Sequence, residues 1–323
     1  MTRLPTRDLA ELIAAVTEET RIPARILEKD YWATEVLRIL VTDCAGTFLF
    51  KGGTSLSKAY GLLDRYSEDL DLLVLADAND TPTVIARLDA LHAAAQRAMG
   101  SLGVATEKDR STDELYRVIT VSFPARTKNV PGVEKTIRLE PGVRGGPLPH
   151  ETRPVRSLVS EHAPEDYRAR VESFDDGTAF NCEVLHPART LVEKLLAVHT
   201  LAEHLANGTR DKVPHRFARH FYDLHQLCAP DGPALSHLRD SGDYMTILGD
   251  CQQVSRQWFT GGVEVPLPAG GLTASRAFHD AELRHTLEVA YRQACANLCF
   301  PGADRPTWDA MCNRVTAAAS TLT

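Results

Sequence analysis

The sequence predicts an α+β protein: a small mixed sheet with flanking helices, preceded by two helices and followed by a helical C-terminal domain. Three observations carry that prediction. Residues 47–75 read as strand, glycine turn, helix and second strand, with the apolar run Phe48-Leu49-Phe50 ending at Gly52-Gly53. Further β-rich runs lie at 115–123, 135–140 and 180–185. From Pro187 onward apolar residues recur at helical spacing, beginning with Leu191, Leu195, Val198 and the Leu201/Leu205 pair. A chain of 323 residues has room for two ordinary domains, and the pattern divides it into 1–185 and 186–323.

The elements follow in order. Residues 5–20 form a first helix with Leu9, Leu12, Ile13 and Val16 inward. Pro23 opens a second, whose broad apolar face includes Ile26, Leu27, Tyr31, Trp32, Val36, Leu37, Leu40 and Val41. Lys29 and Asp30 read as a solvated charged face on it. Thr54 or Ser55 caps the helix after the glycine turn. Thr81 or Thr83 caps a helix to about Met99, ended by Gly100 and Gly103. Pro131-Gly132 marks a turn before the 135–140 strand, which places Thr136, Arg138 and Glu140 on one face and Ile137 and Leu139 on the other. Residues 141–178, rich in Gly, Pro and charge, read as loops and short irregular pieces. Helices are expected at 215–228, 241–259, 276–298 and 305–320, with Gly261-Gly262 and 266–271 as hinge or loop.

Composition narrows the classes. Hydrophobic residues at 43% and charged residues at 24% are ordinary for a globular chain. A formal net charge of −7 argues against a generally basic nucleic-acid coat. Locally, residues 108–156 hold ten Lys and Arg against six Asp and Glu, which fits either an RNA-facing surface or an ordinary mixed surface. Seven cysteines without a C-x-x-C pair read as reduced thiols. Cys295 and Cys299, one helical turn apart, read as a buried structural face rather than a zinc site, despite His285 nearby. No signal pattern or membrane-length apolar run is present, so a cytoplasmic protein without a membrane partner is expected.

The chemistry concentrates in 47–75. Gly52 and Gly53 lack a Cβ, which lets a phosphate approach the backbone, and the N–H groups of the following helix start form an anion site. Asp69 and Asp71 are two apart in a strand, so their carboxylates share a face while Leu70, Leu72 and Val74 turn to the core. Paired carboxylates repel unless a cation sits between them, and Mg²⁺ suits hard oxygen ligands combined with substrate phosphates. A phosphate cradle followed by such a pair is the equipment of metal-dependent nucleotidyl transfer.

The run Lys51-Gly52-Gly53-Thr54-Ser55-Leu56 followed by Arg65-Tyr66-Ser67-Glu68-Asp69-Leu70-Asp71 resembles the AbiEii/AbiGii toxin family, which includes the MenT toxins, within the polymerase-beta-type nucleotidyltransferase superfamily. The resemblance covers roughly residues 25–230. It implies a lysine and an aspartate on later helices as further catalytic residues, matched here by Lys194 and Asp223. It also implies a helical domain closing the nucleotide cleft, NTP as substrate and Mg²⁺ as cofactor. Ser55, alone or with Thr54, then binds the outer phosphates with the backbone of Gly52 and Gly53. Lys51 either touches phosphate or ends its strand in solvent. Glu140 stands where superfamily members often carry a third carboxylate, as metal ligand or general base, or is an edge-strand charge. Lys194 reaches the triphosphate or, like most lysines bordering a core stripe, extends to solvent. Mid-helix Asp223 needs a partner, with Lys194 and Arg216 as candidates. The implied biology is a toxin of a toxin–antitoxin or phage-defence pair, with a separately encoded AbiEi-like antitoxin carrying a winged-helix part and NMP transfer to the acceptor end of tRNA. Transfer to a protein hydroxyl or a small molecule, and a non-catalytic nucleotide-binding module, remain the alternatives.

Overall fold

The computed structural model describes residues 3–67, 69–77, 79–100, 106–108, 115–128, 130, 133–214, 216–258 and 265–322. The chain divides into two compact units. The first comprises Met1–Gly61, Tyr66–Val184 and Phe300–Gly302; the second comprises Leu62–Arg65, Leu185–Cys299 and Ala303–Thr323.

The first unit opens with α1 (Thr6–Thr20) and α2 (Ala24–Asp43), then β1 (Phe48–Lys51), α3 (Gly52–Lys58), β2 (Asp69–Val74) and α4 (Thr81–Gly100). β3 (Thr106–Lys108), β4 (Ile119–Ser122), β5 (Thr136–Gly142), β6 (His150–Val155), α5 (Leu158–Glu161), α6 (Glu165–Val171) and β7 (Phe180–Leu185) follow. The strands form one mixed sheet in the order β3-β4-β5-β2-β1-β7-β6. β2 runs antiparallel to β1 and parallel to β5.

Strand alternation sorts the sheet's two faces. Phe48 and Phe50 of β1, Leu70, Leu72 and Val74 of β2, and Ile137 and Leu139 of β5 join one core with Val36, Leu37 and Leu40 of α2 and Val84, Leu88 and Leu91 of α4. The other face of β2 is left to Asp69, Asp71 and Leu73. α1 buries Leu9, Leu12, Ile13 and Val16, the stripe that its periodicity predicts.

α2 departs from expectation. It packs against α1, α4, α5 and β5 and so has no broad solvated face. Lys29 is buried with its Nζ 5.6 Å from the Tyr66 ring centroid. Asp30 lies 2.5 Å from Lys58 Nζ and accepts the Leu158 N–H at 2.7 Å. The expected solvated charges are therefore interior ties between α2 and distant segments. Similarly, the Glu28 carboxylate accepts the backbone N–H groups of Arg126 and Thr127 at 2.7 and 3.1 Å.

The segment expected to be irregular holds β6, α5 and α6. β6 is the outermost strand, where Pro154 is tolerated because its missing N–H need not join a ladder. Ser157 caps α5 by accepting the Ser160 N–H. At α4 the cap is Asp80, whose carboxylate accepts the Thr83 N–H at 3.2 Å, rather than either threonine. The predicted turn at Pro131-Gly132 and the helix stop at Gly103 lie outside the described residues.

The second unit is helical: α7 (Pro187–Ala206), α8 (Arg219–Leu227), α9 (Pro233–Ser241), α10 (Tyr244–Trp258), α11 (Arg276–His279), α12 (Ala281–Leu298) and α13 (Trp308–Ala317). α7 packs against α8, α9, α10, α11 and α12. The helix expected over roughly 241–259 is α10, which begins at Tyr244 just after α9 closes with Gly242 at the left-handed φ of 66°. The helix expected over 276–298 is interrupted at Asp280, whose carboxylate caps α12 through Glu282 and Leu283 N–H. His215 and the Gly261-Gly262 hinge lie outside the described residues. All seven cysteines are free and buried. Among the described residues no helix is long and apolar enough to cross a membrane.

Candidate active site

In the first unit, β1 delivers Lys51 to the start of α3, and Gly52 makes the turn with φ +78°. A Cβ built on Gly52 would lie 2.1 Å from Asp71 Oδ2. The missing side chain thus admits a carboxylate of this protein directly over the turn, beyond whatever room it leaves for a phosphate. The hydroxyls next to it work differently from expectation. Neither Thr54 nor Ser55 caps α3, whose N-cap is Lys51. Thr54 Oγ1 donates to the Asp69 carbonyl at 2.5 Å, tying α3 to the first residue of β2. Ser55 is fully buried and its Oγ donates to the Gly52 carbonyl at 2.9 Å.

Register places the charges in rows. Asp71 stands between Lys51 of β1 and Glu140 of β5, and Asp69 stands beside Arg138. Lys51 Nζ donates to the Arg144 carbonyl at 3.3 Å. Glu140 accepts the Tyr116 hydroxyl at 2.7 Å on one oxygen and Arg138 Nη2 at 2.9 Å on the other. Arg138 Nε lies 3.8 Å from Asp69 Oδ1. The Arg144 guanidinium lies 5.8 Å from the Tyr116 ring centroid. Burial and then the bond to Glu140 push the Tyr116 hydroxyl up, so it remains a donor. Burial works against the Arg138 charge, and Glu140 then Asp69 more than reverse that.

Among the described residues, no three His, Cys, Asp or Glu side chains gather as a metal-holding group. Glu140, expected as a third ligand, stands beside Asp71 in the β2–β5 register and is hydrogen-bonded to Tyr116 and Arg138. Asp69 and Asp71 still fit a divalent ion, being hard oxygen donors on one sheet face with Asp71 seated over a glycine. Two protein carboxylates completed by water and substrate phosphate is how Mg²⁺ is commonly held. Tyr116, Arg138 and Arg144 were not singled out by sequence. Arg138 shares its strand face with Glu140, but its partner Asp69 follows only from β2–β5 pairing.

The second unit holds its own cluster. Arg65 meets Asp223 through two bonds, Nε to Oδ1 at 2.6 Å and Nη2 to Oδ2 at 2.8 Å. Lys194 Nζ lies 2.9 Å from Asp223 Oδ2 and 3.0 Å from His220 Nδ1. With ammonium as donor, His220 accepts at Nδ1 and is neutral. Lys194 is 7% exposed and Asp223 0%, so Lys194 does not extend to solvent. Asp223 pairs with Lys194 and with Arg65, whose role the sequence did not disclose because its partner is 158 positions away. Burial disfavours the Asp223 charge, but Arg65 and Lys194 override it and hold the carboxyl well below its usual range. Burial also lowers the Lys194 ammonium, partly offset by Asp223. His220 is lowered well below the usual imidazole range by burial and then by Lys194.

The basic segment 108–156 does not act as a unit. Arg117 is buried and pairs with Asp89, and Arg138 and Arg144 belong to the carboxylate face. Arg126, Lys128, Lys135 and Arg156 are exposed, while Arg110 and the side chain of Lys108 lie outside the described residues.

A mixed sheet in which a glycine turn and a short helix lead to a D-x-D strand is the arrangement expected of a nucleotidyltransferase. The fold is similar to that of MenT4, a nucleotidyltransferase toxin from Mycobacterium tuberculosis H37Rv, with a TM-score of 0.53 and 18% identity over 96% of this chain and 89% of that one. No curated protein matches the sequence. Residues 38–313 match the family model for the nucleotidyl transferase AbiEii toxin of type IV toxin–antitoxin systems, and the chain belongs to this family. It is thereby a nucleotidyltransferase toxin with an NTP substrate and an antitoxin partner.

Proposed function

We propose that this toxin is Mg²⁺-dependent and transfers NMP from an NTP to the 3′ end of tRNA, releasing pyrophosphate. The observation that carries the reading is Asp71 seated over Gly52 with Asp69 on the same face of β2. Asp69 and Asp71 would hold the ion. Bound there, Mg²⁺ supplies Lewis-acid charge compensation and orientation at the α-phosphate for in-line displacement. The chain's own groups do the rest. Gly52 and Gly53 would let a phosphate approach their backbone N–H groups, and the Thr54 hydroxyl fixes the start of β2 against α3. Lys51 adds positive charge beside Asp71. A direct contact from Ser55 to phosphate requires its hydroxyl to leave the Gly52 carbonyl. Lys194 and Asp223 belong to the proposal through the family resemblance, and their cluster carries two cations against one carboxylate. Exposed Arg126, Lys128, Lys135 and Arg156 support an RNA acceptor, because lysine and arginine bind its phosphates. An AbiEi-like winged-helix antitoxin, a cytoplasmic setting and a role in phage defence complete the proposal.

The test is a transfer assay with Mg²⁺, each α-labelled NTP in turn, and total tRNA or cell protein. The wild type should label tRNA, and Asp69→Ala/Asp71→Ala should reduce labelling roughly a thousandfold or more while remaining folded. Label on protein would replace the acceptor. Labelling that survives the double substitution would overturn the catalytic assignment.

A further inference from the structure

Among the described residues, β1, β2 and β5 bring three carboxylates, Asp69, Asp71 and Glu140, onto one sheet face with the cations Lys51 and Arg138. The two cations are placed differently. Lys51 Nζ donates to a backbone carbonyl, that of Arg144. Arg138 turns its guanidinium to the carboxylates: Nε and Nη2 both reach Glu140 Oε1, at 3.2 and 2.9 Å, and Nε lies 3.8 Å from Asp69 Oδ1. One arginine thus spans Glu140 and a residue assigned above to the metal. Its side chain is 44% exposed, so it can swing away without opening a hole in the core. Tyr116 holds the other Glu140 oxygen and would keep that carboxylate in place.

We propose that Arg138 is the site's built-in counter-cation, occupying the carboxylates when no divalent ion is bound and competing with the ion for them. The inference rests on the assignment of Asp69 and Asp71 as the ion's ligands. Guanidinium cannot lose its proton in the working pH range, so this competitor is removed only by displacement. A displaced Arg138 needs a new anion, and a triphosphate provides one that its planar fork can grip with two bonds. The ion should therefore bind weakly alone and well with nucleotide. Arg138 is in this sense a positioning residue that couples the two ligands.

Direct Mn²⁺ titration by electron paramagnetic resonance, without nucleotide, tests this independently of turnover. Arg138→Gln should bind Mn²⁺ about tenfold more tightly than the wild type, since a nearby like charge is removed. Arg138→Lys, which keeps the charge, should stay near the wild-type value. Asp69→Asn/Asp71→Asn should abolish binding in either background. A gain in affinity cannot arise from misfolding or from a merely structural role. If Arg138→Gln binds no tighter than wild type, or Arg138→Lys binds as tightly as Arg138→Gln, the counter-cation role is wrong while the aspartate assignment stands. If neither the wild type nor Arg138→Gln takes up Mn²⁺, both fail.

Discussion

The two charge clusters of this protein use the same residue types under opposite conditions. On the sheet face, Asp69, Asp71 and Glu140 stand among Lys51, Arg138 and Arg144, and the arginine that bonds Glu140 has a 44% exposed side chain. In the helical unit, Arg65 and Lys194 outnumber the single carboxylate of Asp223, and all three are buried. The first arrangement can exchange its partners with solvent ligands. The second is dry and closed on itself, so its charges depend on one another. Ion pairs near water contribute little to stability, whereas breaking a buried pair strands a charge. Truncation on the sheet face should therefore cost chemistry, and truncation in the helical cluster should cost the fold.

The sharpest test is Asp223→Ala. It leaves the Arg65 guanidinium and the Lys194 ammonium buried without their shared carboxylate. Urea denaturation should show a loss of about 3–5 kcal/mol. Asp69→Asn should cost less than about 1 kcal/mol in the same measurement, because its arginine is solvent-reachable. Equal losses at the two positions would erase the contrast.

Gly52→Ala comes next and probes the sheet face from the other side. The new Cβ would meet Asp71 Oδ2 at 2.1 Å, and the backbone would hold alanine at φ +78°. Left-handed strain costs about 1–2 kcal/mol. Displacing Asp71 should reduce NMP transfer roughly a hundredfold, because misplacement by about an ångström is enough for that. A Gly52→Ala enzyme that keeps its rate would show that Asp71 does not need its seat over the turn.

What the sequence disclosed follows how local each signal is. β1, the glycine turn and β2 were readable because a strand's period of two and a Gly-Gly turn are set by adjacent residues, and the same period put Asp69 and Asp71 on one face. β7 and α7 were readable for similar reasons, with Pro187 marking the boundary. Lys29 and Asp30 misled because the groups that bury them, Tyr66, Lys58 and the Leu158 N–H, are distant in sequence. Arg65 was visible only as part of a motif, since Asp223 stands 158 positions away. β6 was hidden by Pro154 and by the Gly- and Pro-rich approach to it, which an edge strand tolerates and a pattern search reads as loop. Arg138 needed the β2–β5 register, which no single strand encodes.

The smallest effect tests how dry the helical unit is. His225 lies two residues beyond Asp223 on α8, buried, with Nδ1 3.2 Å from Arg314 Nη1. Burial first, then Arg314, push the imidazole down from 6.5 to about 4. Above pH 6.5 neither folded nor unfolded chain protonates this group, so it does not affect stability. Between pH 6.5 and 4 the unfolded chain takes up a proton that the folded chain refuses, so stability falls as the pH falls. At pH 5 that loss should be about 2 kcal/mol. The lowered His220 adds loss in the same direction, whereas the depressed Asp223 carboxyl contributes stability that begins to fail only as the pH nears the ordinary carboxylate range. His225→Gln, which cannot titrate, should therefore retain about 2 kcal/mol more of its neutral-pH stability at pH 5 than the wild type, measured by urea denaturation across that range. Parallel pH profiles for the two proteins would mean that water reaches His225, and the helical unit would lose its claim to be the closed partner in the comparison.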